Sequence, residues 1–126
     1  MGIKKQLIDR KQVGTAGERE AKSYLVKEGY KICDENYTCS RGEIDFVAWD
    51  KEYLVFIEVR SRRGSLSFGK PFESVTREKQ KRLILLSQIY THHKKLSNCN
   101  VRFDVVSVIL DGSLNLKKID LIKNAF

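Results

Sequence analysis

Two short segments of alternating apolar residues, joined by a polar turn, constrain the fold of this chain more than any other feature. They span residues 42–49 and 54–60, with Asp50-Lys51 at the turn between them. Because successive side chains of a strand point to opposite faces, this pattern predicts a β-hairpin with one dry face. We expect that face to carry the apolar side chains Ile44, Phe46, Val55, Ile57 and Val59.

The opposite face of the hairpin carries two acids near its open end, Asp45 and Glu58. A four-residue turn, 50–53, would place them directly across from each other, with Cβ atoms about 5 Å apart. A two-residue turn would shift them to a diagonal on the same face, and a three-residue loop would separate them. Converging carboxylates suit Mg²⁺, so the pattern indicates a metal site for phosphate chemistry. The alternative is a charged strand end that faces solvent.

Two residues that follow Glu58 could complete such a site. The main-chain carbonyl of Val59 could provide a third metal ligand. Arg60 lies on the same strand face as Glu58 and could stabilise the negative charge that develops on phosphorus.

Glu18 admits two interpretations. It lies at the border of the apolar face of a predicted helix, from which its carboxylate could reach towards Asp45 as a ligand of metal or water. The segment Thr15-Ala16-Gly17-Glu18 fits a capping box equally well, with Glu18 closing the first helical turn.

Basic residues are concentrated directly after the acidic pair. The 126-residue chain has a net charge of +8, and residues 60–82 contain eight basic residues against two acids, an excess of +6. Such a concentration favours nucleic acid as a partner, although a solvated basic face is the alternative. We expect the phosphate-facing residues to be Arg62, Arg63, Lys70, Lys79 and Gln80. The last two follow Thr76, a predicted helix N-cap, and helix N-termini attract phosphate.

The remaining composition predicts a cytoplasmic protein of one domain. No apolar run approaches the roughly 20 residues of a membrane span, and the basic start lacks the apolar stretch of a secretory signal. Three cysteines without C-x-x-C spacing are typical of reduced thiols in a cytosolic protein. A chain of this length can bury one sizeable core.

The periodicity predicts the element order αβββαββ in a single α/β domain. Residues 1–12 are expected to form a basic lead-in arm. The predicted elements are a helix from Thr15 to about Glu28, a strand over 30–38 that is broken near Asp34-Glu35-Asn36, the hairpin, a loop over 61–72, a helix from Thr76 to about Leu96, a buried strand over 101–110 and a weaker edge strand over 114–122.

Several short motifs, taken in order, resemble one known family. They are Gly14-x-x-Gly17-Glu18-x-x-Ala21, Gly42-Glu43-Ile44-Asp45, Ile57-Glu58-Val59-Arg60, Phe68-Gly69-x-Pro71, Lys79-Gln80 and Arg102-Phe103-Asp104-Val105-Val106. From about Gly14 to Ile109 the chain is similar to the YraN-type bacterial proteins. The resemblance implies the restriction-endonuclease-like PD-(D/E)xK fold, a three-layer αβα domain with a central mixed β-sheet, and a likeness to archaeal Holliday-junction resolvases.

The resemblance also implies roles for individual residues. Asp45 and Glu58 match the acids that bind Mg²⁺ or Mn²⁺, and Glu18 matches the helix glutamate of resolvase-like members. Arg60 stands at the position of the motif's lysine, and there the chain departs from the pattern. Arginine keeps its charge at any relevant pH, so it cannot act as a general base.

Three functions from different classes follow from these residues. The leading hypothesis is a Mg²⁺-dependent endonuclease or junction resolvase that acts on structured DNA and that can work as a homodimer. DNA is favoured over RNA as the partner, and the sequence leaves the choice between them open. The second is a nucleic-acid-binding protein that keeps the fold without the chemistry. A protein-interaction role is the third.

Overall fold

The computed structural model describes residues 7–64, 75–96 and 98–126. These ranges contain α1 (Arg10–Lys27), β1 (Lys31–Cys39), β2 (Gly42–Asp50), β3 (Tyr53–Arg63), α2 (Arg77–His93), β4 (Asn100–Leu110) and β5 (Leu116–Ile122). The predicted α/β class and the order αβββαββ are confirmed. Lys70 and the Phe68-Gly69-x-Pro71 motif lie outside the described residues. In the described part of the chain, neither helix has the length and apolar character needed to cross a membrane.

The five strands form one mixed sheet in the order β1-β2-β3-β4-β5. Strands β3 and β4 are parallel, and the other three neighbouring pairs are antiparallel. Parallel neighbours need a long crossover, and α2 lies in the segment between them. The strand predicted over 101–110 is confirmed as β4, whose last seven residues are all buried. The predicted edge strand is confirmed as β5.

The two helices pack on opposite faces of this sheet. Val55 and Ile57 of β3 pack with Ala21 and Leu25 of α1 in one core cluster. The alternate residues of β3, such as Phe56, pack with residues of α2 in a second cluster. Since successive strand residues point to opposite faces, α1 and α2 form the outer layers around the sheet.

A two-residue turn at Lys51-Glu52 connects β2 and β3. Asp50 pairs with Tyr53, and Phe46 pairs with Ile57. The prediction that a two-residue turn would give a diagonal is therefore wrong. Because residues 50 and 53 themselves pair, the register is the one expected for a four-residue turn. The paired residues end at Phe46–Ile57, one step before Asp45 and Glu58.

Strand β2 changes faces at Asp45. Phe46 packs in the α1-side core, whereas Ile44 packs in the α2-side core. The prediction that Ile44 and Phe46 share a face is therefore wrong. Strict alternation fails because the β1–β2 ladder has no pair at Asn36 and Asp45, and Asn36 has a left-handed φ of 50°. We call this irregularity the Asp45 kink.

Helix α1 begins earlier than predicted. Asp9 caps it in a capping box with Gln12, in which the Asp9 carboxylate accepts from the Gln12 N–H at 2.8 Å. Residues 10–12 of the predicted lead-in arm are consequently helical, and the capping box proposed for residues 15–18 is wrong. Glu18 lies in the middle of the helix, so capping does not explain its position.

Gly17 brings α1 unusually close to the sheet. A Cβ atom at this position would lie 1.7 Å from the hydroxyl oxygen of Ser61 in β3. Only glycine permits this approach without a shift of the helix. The contact fixes the height of the next residue, Glu18, above β3.

Candidate metal centre and its basic surroundings

Three carboxylates meet where α1 passes over the start of β2. One oxygen from each of Glu18, Glu43 and Asp45 lies within 4.8 Å of the others. We call these residues the acidic cluster. Glu18 lies beside Asp45, as its predicted reach towards that residue requires, and its role as a ligand of metal or water stays a prediction. Glu43 was not predicted as a site residue, although its spacing of two from Asp45 is a signal that could have identified it.

Negative charge on the acidic cluster is energetically unfavourable in the folded protein. Burial and the charge of Glu58 raise the pKa of Asp45 to about 8, although its carboxylate accepts a hydrogen bond from the Val59 N–H at 2.8 Å. Burial also raises the pKa of Glu18, with further contributions from Glu43 and Glu58. A proton or an added cation therefore stabilises this cluster.

Glu58 is close to the acidic cluster but belongs to a different set of contacts. It is 5% exposed, and its Oε1 lies 3.0 Å from Lys79 Nζ and 3.7 Å from Arg60 Nη1. The prediction that Asp45 and Glu58 share a face is therefore wrong, because Asp45 lies beside Glu18 of α1 and the Glu58 carboxylate turns towards α2. The two acids still interact through their charges. Val59 donates its N–H to Asp45, and the role proposed for its carbonyl stays a prediction.

A cleft of about 600 Å³ adjoins Glu18, between the start of α1 and the end of β3. Four arginines line it: Arg10, Arg60, Arg62 and Arg63. We call it the basic cleft. Arg62 and Arg63 were predicted in a loop, but β3 continues through both because its pairing with β4 extends to Arg63–Leu110. The strand holds their backbone beside the acidic cluster.

The two residues predicted at the start of α2 have different environments. Thr76 is confirmed as the N-cap, and its hydroxyl accepts from the Lys79 N–H at 3.1 Å. The Lys79 side chain contacts Glu58, whereas the Gln80 amide donates to the Val75 carbonyl at 3.2 Å. Lys79 therefore lies at the predicted metal site, and Gln80 supports the first turn of the helix.

A second set of charges lies near the turn of the β2–β3 hairpin. Arg102 donates to both carboxylate oxygens of Asp104 at 2.9 Å and to Asp50 at 2.7 Å. Tyr30 donates its hydroxyl to Asp104 at 2.7 Å, and Asp104 is fully buried. We call these four residues the Arg102 network. The motif Arg102-Phe103-Asp104 signalled it, because a charged pair inside an apolar strand needs mutual compensation.

Comparison with known proteins identifies relatives along nearly the whole chain. Residues 17–108 match the model of the Uncharacterised protein family UPF0102. A UPF0102 protein of Caldicellulosiruptor saccharolyticus is 40% identical over 119 residues, which cover 94% of this chain and all of that protein. A UPF0102 protein of Clostridium perfringens is 44% identical over 116 residues, which cover 92% and 94% of the two chains. The chain therefore belongs to the UPF0102 family, in agreement with the YraN-type resemblance of its motifs.

Proposed function

We propose that this protein is a metal-dependent endonuclease with the restriction-endonuclease-like fold, which hydrolyses phosphodiester bonds in structured DNA. The observation that carries the proposal is the acidic cluster, placed directly beside the basic cleft. Neither feature alone would indicate a nuclease. Together they provide ligands for a metal ion and a surface for the phosphate backbone.

The fold supports this proposal. The motif acids are expected on two neighbouring strands of a mixed sheet between two helical layers, and Asp45 and Glu58 lie on β2 and β3 of such a sheet. The Asp45 kink turns one of these acids towards Glu18 of α1. The helix glutamate of the resolvase-like pattern thus lies beside one of the two strand acids, Asp45, whereas the second, Glu58, contacts Lys79.

The residues of the acidic cluster fit Mg²⁺ or Mn²⁺. Their donor atoms are all carboxylate oxygens, which these hard cations prefer. The raised pKa of Asp45 is the second argument, because a divalent cation would offset the negative charge that burial and Glu58 make costly. Glu18, Glu43 and Asp45 would hold the ion, and it would supply Lewis acidity and an activated water.

The protein's own side chains would orient the substrate. Arg60, Arg62 and Arg63 follow one another along the end of β3 and line the basic cleft with Arg10. Guanidinium groups bind phosphate oxygens through paired hydrogen bonds. A DNA backbone in the cleft would thus present a phosphate to the acidic cluster, with Arg60 placed to stabilise the developing negative charge.

A second candidate function is nucleic-acid binding without cleavage. One observation favours it: arginine occupies position 60, where the motif has lysine. Since arginine cannot give up its proton, the site lacks a general base at that position. Binding would then depend on the basic cleft and would be indifferent to the acids.

Cleavage of branched and linear DNA with Mg²⁺ or Mn²⁺ tests the two functions. We expect Asp45→Asn and Glu18→Gln to lower the cleavage rate about 100-fold or more, because metal catalysis contributes several kcal/mol to the transition state. Glu52→Gln, which removes an exposed acid at the far turn of the hairpin, is the matched control and should cleave like the wild type.

Binding measured on the same DNA in EDTA separates the remaining outcomes. Salt-sensitive binding without cleavage, weakened by Arg62→Gln and unchanged by Asp45→Asn, would reject the endonuclease and support the binding protein. If the wild-type protein neither cleaves nor binds DNA or RNA at low salt, both functions fail and a protein-interaction role remains.

A further inference from the structure

The buried carboxylate of Glu58 has a lysine partner from outside its own strand. Lys79 Nζ lies 3.0 Å from Glu58 Oε1, within hydrogen-bonding distance, whereas Arg60 Nη1 lies 3.7 Å from the same oxygen. A carboxylate that is 5% exposed needs a nearby positive charge. By distance, Lys79 of α2 makes the tighter contact, although Arg60 occupies the motif's lysine position.

The position of Lys79 within α2 is unfavourable for the helix itself. It is the third residue after the N-cap Thr76. The N-terminal end of a helix carries a partial positive charge, where acids are stabilising and lysines are not. Helix stability therefore does not explain a lysine here, but an ion pair with Glu58 does, since it offsets the repulsion from the helix dipole.

A metal ion at the acidic cluster would interact electrostatically with both members of this ion pair. The charge of Glu58 already acts on both Asp45 and Glu18. The same charge would attract a divalent cation, whereas the ammonium of Lys79 would repel it. Lys79 and the metal ion would thus be two cations attracted to the same buried carboxylate, that of Glu58.

We propose that Lys79 is a positioning residue that holds Glu58 in the metal-free protein and competes with the metal ion for its carboxylate. A lysine of α2, Lys79, would then lie beside Glu58 where the motif has a lysine of β3, the position that Arg60 occupies in this chain. This inference deepens the proposed function and rests on it for the metal, while the ion pair itself can be tested without metal.

Calorimetric titration with Mn²⁺ tests the competition. We expect Lys79→Gln to bind Mn²⁺ about tenfold more tightly than the wild type, because a repelling charge is removed. Lys79→Arg keeps the charge and should stay within about threefold of the wild type. Lys81→Gln, an equal change of charge at an exposed position of the same helix, is the control and should also bind like the wild type.

A double-variant cycle in EDTA tests the ion pair. Glu58→Gln and Lys79→Gln should each lower the urea midpoint, and the double variant should lose less than the sum of both losses. Additive losses would overturn the ion pair. Equal Mn²⁺ affinity of Lys79→Gln and the wild type would overturn the competition and leave the endonuclease intact. If neither protein binds Mn²⁺, the competition and the proposed function both fail, whatever the cycle shows.

Discussion

The acidic cluster and the Arg102 network lie towards opposite ends of the β2–β3 hairpin, and both withdraw carboxylates from water. In the network, hydrogen bonds from Arg102 lower the pKa of Asp50. In the cluster, burial and the charge of Glu58 raise the pKa of Asp45 to about 8. The carboxylates of the network are paired with cations of the protein itself, Arg102 and Lys123, whereas the cluster would gain from a cation brought from outside. Buried carboxylates that are paired with cations indicate a structural role, whereas buried carboxylates whose ionisation is unfavourable indicate a functional one.

The largest expected effect is on the network side of this comparison. Arg102→Met would leave the fully buried Asp104 without its guanidinium partner. We expect the free energy of unfolding to fall by about 3–5 kcal/mol, the usual cost of breaking a buried ion pair from one side. Urea denaturation at pH 7 measures this loss.

The control for this variant is Lys118→Met, which breaks the ion pair with Asp120 at the surface. The side chains of this pair are 56% and 37% exposed, so we expect a loss of only about 0–1 kcal/mol. A similar loss in both variants would contradict the structural role of the Arg102 network.

An intermediate effect on stability is expected at Gly17, whose contact with β3 positions the acidic cluster. Gly17→Ala would place a Cβ atom 1.7 Å from the Ser61 hydroxyl oxygen and push α1 away from β3. We expect a loss of about 1–3 kcal/mol in the free energy of unfolding. Because Glu18 moves with the helix, the Mn²⁺ affinity that we propose for the acidic cluster should fall as well.

Gly14→Ala is the matched variant in the same helix, since a Cβ atom there meets nothing within 4 Å. We expect it to be neutral or to stabilise the protein by about 0.5–1 kcal/mol. If both alanine variants unfold at the same urea concentration, the close approach at Gly17 does not constrain the helix.

The smallest expected effects are those of single carboxylates on stability at pH 8, and their signs differ between the two regions. Asp45→Asn removes a group whose pKa rises on folding from 3.8 to about 8. Ionisation of Asp45 costs the folded state stability progressively as the pH rises through that interval. We therefore expect Asp45→Asn to stabilise the metal-free protein by about 1–2 kcal/mol at pH 8 and to have little effect at pH 4.

Asp50→Asn sharpens the comparison, because the pKa of Asp50 is lowered on folding. Its stabilising contribution is present above the unfolded pKa and is lost as the pH falls through the folded pKa. Asp50→Asn should therefore destabilise the protein at pH 8. Thermal unfolding of both variants at pH 4 and pH 8 checks the two signs, and equal signs at pH 8 would contradict the distinction between the two regions.

Regular periodicity made much of the fold predictable from the sequence. Strict alternation in 54–60 identified β3, and the continuous apolar run identified the buried β4. The same rule failed at Ile44, because the Asp45 kink interrupts the alternation. The sequence indicated only a break in the neighbouring strand near Asp34-Glu35-Asn36, where Asn36 takes its left-handed φ, and a break does not show which side chains change face. The start of α1 was missed because Asp9 and Gln12, a capping pair, lie in a polar segment with little apolar periodicity.

The sequence identified the residues of the candidate site better than it identified the contacts between them. Spacing singled out Asp45, Glu58 and Glu18, but spacing cannot show that Glu58 turns to Lys79 while Asp45 turns to Glu18. These contacts depend on the packing of two helices on opposite faces of the sheet. The spacing of Glu43 from Asp45 was a signal for its membership, but its contact with Glu18 depends on the approach of α1.

The Asp45 kink has a consequence for communication across the sheet. An intact sheet separates its two helical layers, so a change on one face is felt weakly on the other. At Asp45 that separation is reduced, because Asp45 lies beside Glu18 of α1 while the charge of Glu58, on the α2 side, raises its pKa. A cation bound at this point would therefore act on the charges of both helical layers at once.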